Sequence, residues 1–153
     1  MEHVVRCYCI NENDEVLLAK AASWQLWSLP WGHIEEWETA HDALRRELDE
    51  EFGVDCTVVW SEPMLSMHTI ATLPLPIAMY IIQYEHRTRW YIQRVESLYF
   101  ARCDWSEVTV QEDEIYDYTW MPIDDLLGLK AWEEIYGQYI DILDQNVDLL
   151  ELL

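Results

Sequence analysis

The chain has 153 residues, 30 of them acidic and 9 basic, for a formal charge of −21, and 51% of its residues are hydrophobic. That length and apolar content allow one globular domain over residues 1–153 with a sizeable core, and they exclude disorder. The charge repels phosphate backbones and anionic headgroups, which excludes duplex nucleic acid and membrane surfaces as expected partners, and an anionic ligand could approach only with cations between it and the protein.

Met1, Glu2 and His3 lead straight into a strand-like run, without the basic and apolar pattern of a leader, so a cytoplasmic location is expected. Val4 to Ile10 and Glu15 to Ala19 read as a β-hairpin, because Asn11 to Asp14 between them favour a turn. Trp27 to Leu29 reads as a brief strand ended by Pro30, and a loop is expected from Trp31 to about Glu38. Cys7, Cys9, Cys56 and Cys103 contain no C-x-x-C pair and read as buried, reduced thiols.

From Thr39 to Phe52 the signals are helical: Thr39 as N-cap, Asp42 three residues on, straight-chain residues within and Gly53 just past the end. Cys56 to Trp60, Leu65 to Ile70, Ile77 to Gln83 and Leu98 to Cys103 have the β-branched and aromatic content of strands, which predicts a mixed sheet. Glu85 to Val95 is charged and aperiodic, and reads as an exposed excursion. Apolar residues from Trp132 through Ile135, Tyr139 and Leu143 to Leu150 recur at helical steps, which predicts one long terminal helix. Its stripe could pack inside the chain or against a second copy, giving a homodimer.

The helix from Thr39 carries an oddity. At roughly 100° per residue, Glu47, Glu50 and Glu51 share a side with Ala40, Ala43, Leu44 and Leu48, while Asp42, Arg45, Arg46 and Asp49 face the other way. An ordinary solvated charge run would place its carboxylates on the polar side. Hard oxygen ligands gathered beside core residues instead suit Mg²⁺, which binds one or two carboxylates and completes its shell with water and phosphate oxygens. His33, His41 and His68 match no zinc spacing and read as ordinary core or surface histidines.

From Gly32, five residues lead to Glu38, seven more to Arg46, and then follow Glu47, Leu48, Asp49, Glu50, Glu51, Phe52, Gly53 and Val54. This run resembles the complete Nudix box, G-x5-E-x7-R-E-U-x-E-E-x-G-U with U aliphatic, at every fixed position. The resemblance implies an α/β fold, a Nudix-type α/β/α sandwich with a mixed β-sheet. It also implies a Mg²⁺-dependent hydrolase, with Mn²⁺ as substitute, that cleaves a diphosphate linkage in a nucleoside triphosphate or another nucleoside-diphosphate derivative. Glu47, Glu50 and Glu51 would bind metal, the Gly32 carbonyl would complete the shell, and Glu38 would pair with Arg46 as a structural brace.

The base that activates water is a box glutamate or a later loop carboxylate, Glu112 or Glu114, with Glu114 favoured for lying just before the strand that contains Trp120. Trp31 and Trp37 stand where the family often has glycine. They read either as packed over the core or as walls of the phosphate entrance, with Trp31 as a substrate contact. Trp132-Glu133-Glu134 is faintly similar to an aromatic and acidic element that contacts the base in oxidised-purine triphosphatases of this family, which makes Trp132 a second substrate contact. The competing reading is a non-hydrolysing nucleotide-binding or sensor module on the same fold. An isomerase-like use of the scaffold lacks a Cys in or near the box helix.

Overall fold

The computed structural model describes residues 1–59, 66–67, 70–71, 73–85, 87–88, 91–103 and 108–152. Nine strands and three α-helices run in the order β1 (Glu2–Ile10), β2 (Glu15–Lys20), β3 (Trp31–His33), α1 (Ala40–Phe52), β4 (Cys56–Val58), β5 (Ser66–Met67), β6 (Ile70–Ala71), β7 (Ala78–Tyr84), β8 (Ile92–Cys103), β9 (Asp117–Pro122), α2 (Ile123–Leu127) and α3 (Gly137–Gln145), among the described residues. A 3-10 turn over Val147–Leu152 follows.

The sheet is mixed and centres on β1 and β8, which pair in parallel from Glu2 with Arg94 through to Ile10 with Arg102. The other edge of β1 takes β3, with Val5 opposite Gly32, and meets β2 only at Ile10 and Val16. Thus the turn at Asn11 closes as read, its Oδ1 accepting from the amides of Asn13 and Glu15 at 3.0 Å, but most of the pairing of β1 is long-range. β9 pairs antiparallel with β2, and both β4 and β7 pair antiparallel with β8.

Period-two alternation sends the two faces of β1 to different cores. Val5, Cys7 and Cys9 pack with Ala43, Leu44, Leu48 and Phe52 of α1. Tyr8 and Ile10 pack with Leu126 of α2 and with Tyr139 and Leu143 of α3. This is the α/β/α sandwich. Of the apolar stripe of α3, Tyr139 and Leu143 are buried inside the chain.

Helix α1 starts where Thr39 Oγ1 accepts from the Asp42 amide at 3.3 Å and stops at Gly53, whose φ of 64° is the left-handed cap that glycine adopts without a Cβ penalty. Like-charge pairs along it cost about 0.2–0.5 kcal/mol each. Burial of Leu44, Leu48 and Phe52, all at most 1% exposed, contributes about 1.5–3 kcal/mol apiece. The apolar stripe wins, and Glu47 and Glu51 are carried inward with it, while Glu50 stays exposed.

Several local readings change. Trp31 to His33 is a strand rather than loop, because its pairing partner lies far earlier in the chain, in β1, where Arg6 is opposite Trp31, 25 residues on. Strand β8 begins at Ile92, inside the charged stretch read as an excursion, since its charges find partners in space: Arg94 lies 3.5 Å from Glu2 and Glu96 lies 3.1 Å from Arg6. The long terminal helix is interrupted, as Trp132 takes φ 65° and Trp27 bridges to Ile135 before α3 starts. The strand read over Leu65 to Ile70 is divided between β5 and β6, which pair antiparallel. Trp60, Leu65 and His68 lie outside the described residues. The sulfurs of Cys9 and Cys103 are bonded, with Cα atoms 6.0 Å apart, while Cys7 and Cys56 are free and buried; the expectation of four reduced thiols holds for two of them.

Trp37 neither packs over the core nor lines a cavity. It is 97% exposed with φ 67°, a left-handed conformation that costs an L-residue about 1–2 kcal/mol. Trp37→Gly removes that strain and adds about 0.5–1 kcal/mol of unfolded-chain entropy, so a net gain of roughly 0.5–1 kcal/mol and a higher Tm are expected in a thermal melt. An unchanged or lower Tm contradicts this.

Candidate active site

Four acidic side chains line one cavity beside α1. Glu47, Glu50 and Glu51 project from its last two turns, and Glu114 arrives from the loop before β9. The loop is delivered by backbone chemistry. A helix leaves its last carbonyls without internal donors, and here the Thr109 and Gln111 amides donate to Phe52 O and Glu51 O at 2.9 Å. Ile115, 8% exposed, then anchors in the α1 core and sets Glu114 beside Glu51.

Exposure falls along the set: the Glu50 side chain is 56% exposed and that of Glu47 18%, while Glu51 is 8% exposed. Burial, followed by the neighbouring carboxyls of Glu47 and Glu114, pushes the Glu51 carboxyl up to about 8. Burial disfavours the charged carboxylate, and the two neighbouring carboxyls add to that.

Arg46 supplies part of the missing positive charge. Its Nε and Nη2 donate to the two Glu38 oxygens at 2.8 and 3.1 Å, another Nη2 bond reaches the His33 carbonyl at 3.0 Å, and Nη1 donates to Glu47 Oε1 at 2.8 Å. Glu50 stands 3.5 Å from the same guanidinium. The Arg46 hydrogen bond holds the Glu38 carboxyl below the usual carboxylate range. One side chain thereby ties β3, the loop after it and α1 together. Glu38 accepts these bonds away from the cavity.

Gly32 is required by close approach. A Cβ there would overlap Glu47 Cγ and sit 2.6 Å from Cδ and 2.9 Å from Oε1. Because Arg46 pins Glu47, the clash has no cheap exit. Gly32→Ala is expected to cost about 1–3 kcal/mol and to displace Glu47. A protein that melts within 0.5 kcal/mol of wild type, with unchanged turnover, contradicts that.

The oxygen-only donor set, the crowding at Glu51 and the cradle that Gly32 leaves for Glu47 fit a hard divalent ion. Among the described residues no three His, Cys, Asp or Glu side chains are already gathered closely enough to enclose one. Arg46 accounts for part of this, since it holds Glu47 in a hydrogen bond that an ion would have to share. His33 and His41 contact Glu2 and Asp42 at 3.8 and 3.7 Å and stay outside the set.

These carboxyls form one end of a cavity of about 1230 Å³. Trp31 lines it, its ring 5.4 Å from the Arg6 guanidinium carbon and 5.5 Å from that of Arg94. Trp132 also lines it, 65% exposed, against Gly137. Glu134 instead turns away to accept the Lys130 amide at 2.8 Å, and Glu112 does not line the cavity. Sequence reasoning missed the far end, made by Arg6, Tyr80, Glu96 and Tyr139. The available signal was a charge on the inward phase of each central strand: Arg6 among the apolar residues of β1, and Glu96 two residues before Leu98 in β8.

The profile of the NUDIX domain matches residues 2–141, and the chain belongs to the Nudix family. It is 30% identical over 95 residues to the RNA pyrophosphohydrolase of Pseudomonas paraeruginosa, and that match spans 57% of each protein. A 57-residue stretch, 35% of this chain and 18% of the other, is 40% identical to the 8-oxo-dGDP phosphatase NUDT18 of Danio rerio. In structure the chain is similar to a NUDIX-family hydrolase from Clostridium perfringens, with TM-score 0.73, 20% identity and 97% of each chain covered. It is also similar to the C. elegans Ap4A hydrolase, with TM-score 0.67, 16% identity, and 99% and 98% covered. Among the described residues, no helix is long and apolar enough to cross a membrane.

Proposed function

We propose that residues 1–153 act as one Nudix domain that hydrolyses a diphosphate linkage in a nucleoside triphosphate or another nucleoside-diphosphate derivative. The observation that carries this is that Glu47, Glu50, Glu51 and Glu114 line one cavity large enough for a nucleotide. Family membership supports it.

Glu47, Glu50 and Glu51, with the Gly32 carbonyl, would hold Mg²⁺, for which Mn²⁺ could substitute. When bound, the ion neutralises phosphate charge and makes a coordinated water more acidic. Glu114 is the base. Its carboxylate takes the proton of the attacking water as the water oxygen bonds to phosphorus, and the bridging oxygen leaves with the departing phosphate. Arg46 keeps Glu47 oriented and ties the β3 loop to α1 through His33 O. Trp31 and Trp132 would flank the substrate.

The test is product analysis by phosphorus NMR over a nucleotide panel, with Mg²⁺ and with chelator. Release of phosphate or pyrophosphate that the chelator abolishes is the expected result. Tight nucleotide binding without product would move the assignment to a non-hydrolysing sensor, and neither binding nor product would remove both.

A further inference from the structure

A chain with a formal charge of −21 admits an anionic ligand only where positive charge is set into the cavity. Four cationic side chains line it: Arg6, Lys20, Arg46 and Arg94. Three of them face carboxylates of the protein. Arg6 Nε lies 3.1 Å from Glu96 and Arg94 Nε 3.5 Å from Glu2, while Arg46 holds both Glu38 and Glu47 at 2.8 Å. Each of these guanidiniums answers a charge already in the fold.

Lys20 differs. It ends β2 directly opposite Asp117 on β9, where an opposite-charge pair across the strands would be favourable. Asp117 Oδ1 instead accepts from the Tyr118 amide at 2.8 Å, and the Lys20 ammonium lies 4.5 Å from the centroid of the Trp27 ring. Among the described residues, it is the lining cation left without a carboxylate. An aromatic ring attracts a cation without cancelling its charge. The stem of Lys20 is therefore held while its full positive charge stays available at the cavity wall.

The backbone sets this charge beside the candidate base. The Tyr116 amide, two residues beyond Glu114, donates to Lys20 O at 2.8 Å, so the end of β2 and the loop that carries Glu114 form one wall. The turn after Lys20 is closed by Gln25 Oε1, which accepts from the Ala21 amide at 3.2 Å. A base or a sugar hydroxyl gains little from an uncompensated ammonium, whereas a phosphate oxygen gains a charge-assisted hydrogen bond. We propose that Lys20 binds a phosphate oxygen of the substrate, and that the protein itself thereby contributes to drawing a phosphate chain into an acidic site. This rests on the hydrolase reading above and adds a residue that acts on affinity. The contact is made in the bound ground state and in the transition state alike, so its loss raises KM more than it lowers kcat.

The experiment is calorimetric titration of inorganic tripolyphosphate, with Mg²⁺ in excess, into the full chain and into Lys20→Met and Lys20→Arg. Methionine keeps an apolar stem for Trp27 and removes the charge, so a packing role would leave it equal to wild type; arginine restores the charge. Wild type should bind, Lys20→Met should bind about tenfold or more weakly, the scale of one lost hydrogen bond to a charged group, and Lys20→Arg should recover most of that loss. On a nucleotide that the protein hydrolyses, Lys20→Met should raise KM about tenfold with a smaller change in kcat. Equal affinities in wild type and Lys20→Met, a loss that arginine does not recover, or no binding by wild type overturns the inference, even in a protein that hydrolyses nucleotides. The expected order of affinities in a protein that hydrolyses nothing would uphold it while removing the enzymatic reading.

Discussion

Glu51→Gln should stabilise the metal-free protein while lowering turnover by about a hundredfold or more, the scale on which one transition-state contact is lost. Both effects have one cause. Burial and the carboxyls of Glu47 and Glu114 push Glu51 up to about 8 in the folded chain, whereas in the unfolded chain it titrates near 4.3 by about the ordinary glutamate value. Between those values the folded state binds more protons than the unfolded state. Stability conferred by the protonated form is therefore present at low pH and lost as pH rises toward 8. The amide has no proton to lose, so chelated wild type should show a falling Tm across this window and Glu51→Gln a flatter one. Each kcal/mol of repulsion relieved raises Tm by about 2–4 °C in a chain of this size. A variant less stable than wild type near pH 8, or one with full turnover, contradicts the account.

Glu96→Ala is expected to destabilise by about 3–5 kcal/mol, the cost of leaving one member of a buried ion pair alone. Its partner Arg6 is 7% exposed. Burial pulls its basicity down and Tyr139 and Glu96 raise it, but a guanidinium is not deprotonated in proteins, so it stays charged when Glu96 is removed. The Tyr80 hydroxyl also loses its acceptor. Denaturant unfolding measures the difference, and a loss below about 1 kcal/mol, as for an exposed pair, would show that water reaches this end of the cavity.

The contrast between these two glutamates explains what could be read without coordinates. Glu51 belongs to a local pattern: helical steps, a Thr39 cap and a Gly53 stop are all within 15 residues, and α1 formed at Ala40–Phe52. Glu96 depends on partners 90 and 16 residues away, Arg6 and Tyr80, and strand pairing at that separation leaves no local trace. The same reason hid β3, whose strand character comes from β1. It also hid the docking of the loop that brings Glu114 to Glu51, which is fixed by two amides meeting the end of α1. The mixed sheet was legible from runs of β-branched and aromatic residues, whereas its two helical layers were expected only from the resemblance carried by the box.

The central claim is that the Glu47, Glu50 and Glu51 carboxylates, held by α1 and Gly32, form a divalent-cation site. The most direct measurement is calorimetric titration of Mn²⁺ into wild type and into Glu51→Gln at matched pH. Saturable binding to wild type, weakened about tenfold or more in the variant as expected when a ligand or its close support is lost, is the predicted result. Identical titrations for the two proteins, or no saturable binding to wild type, would contradict it.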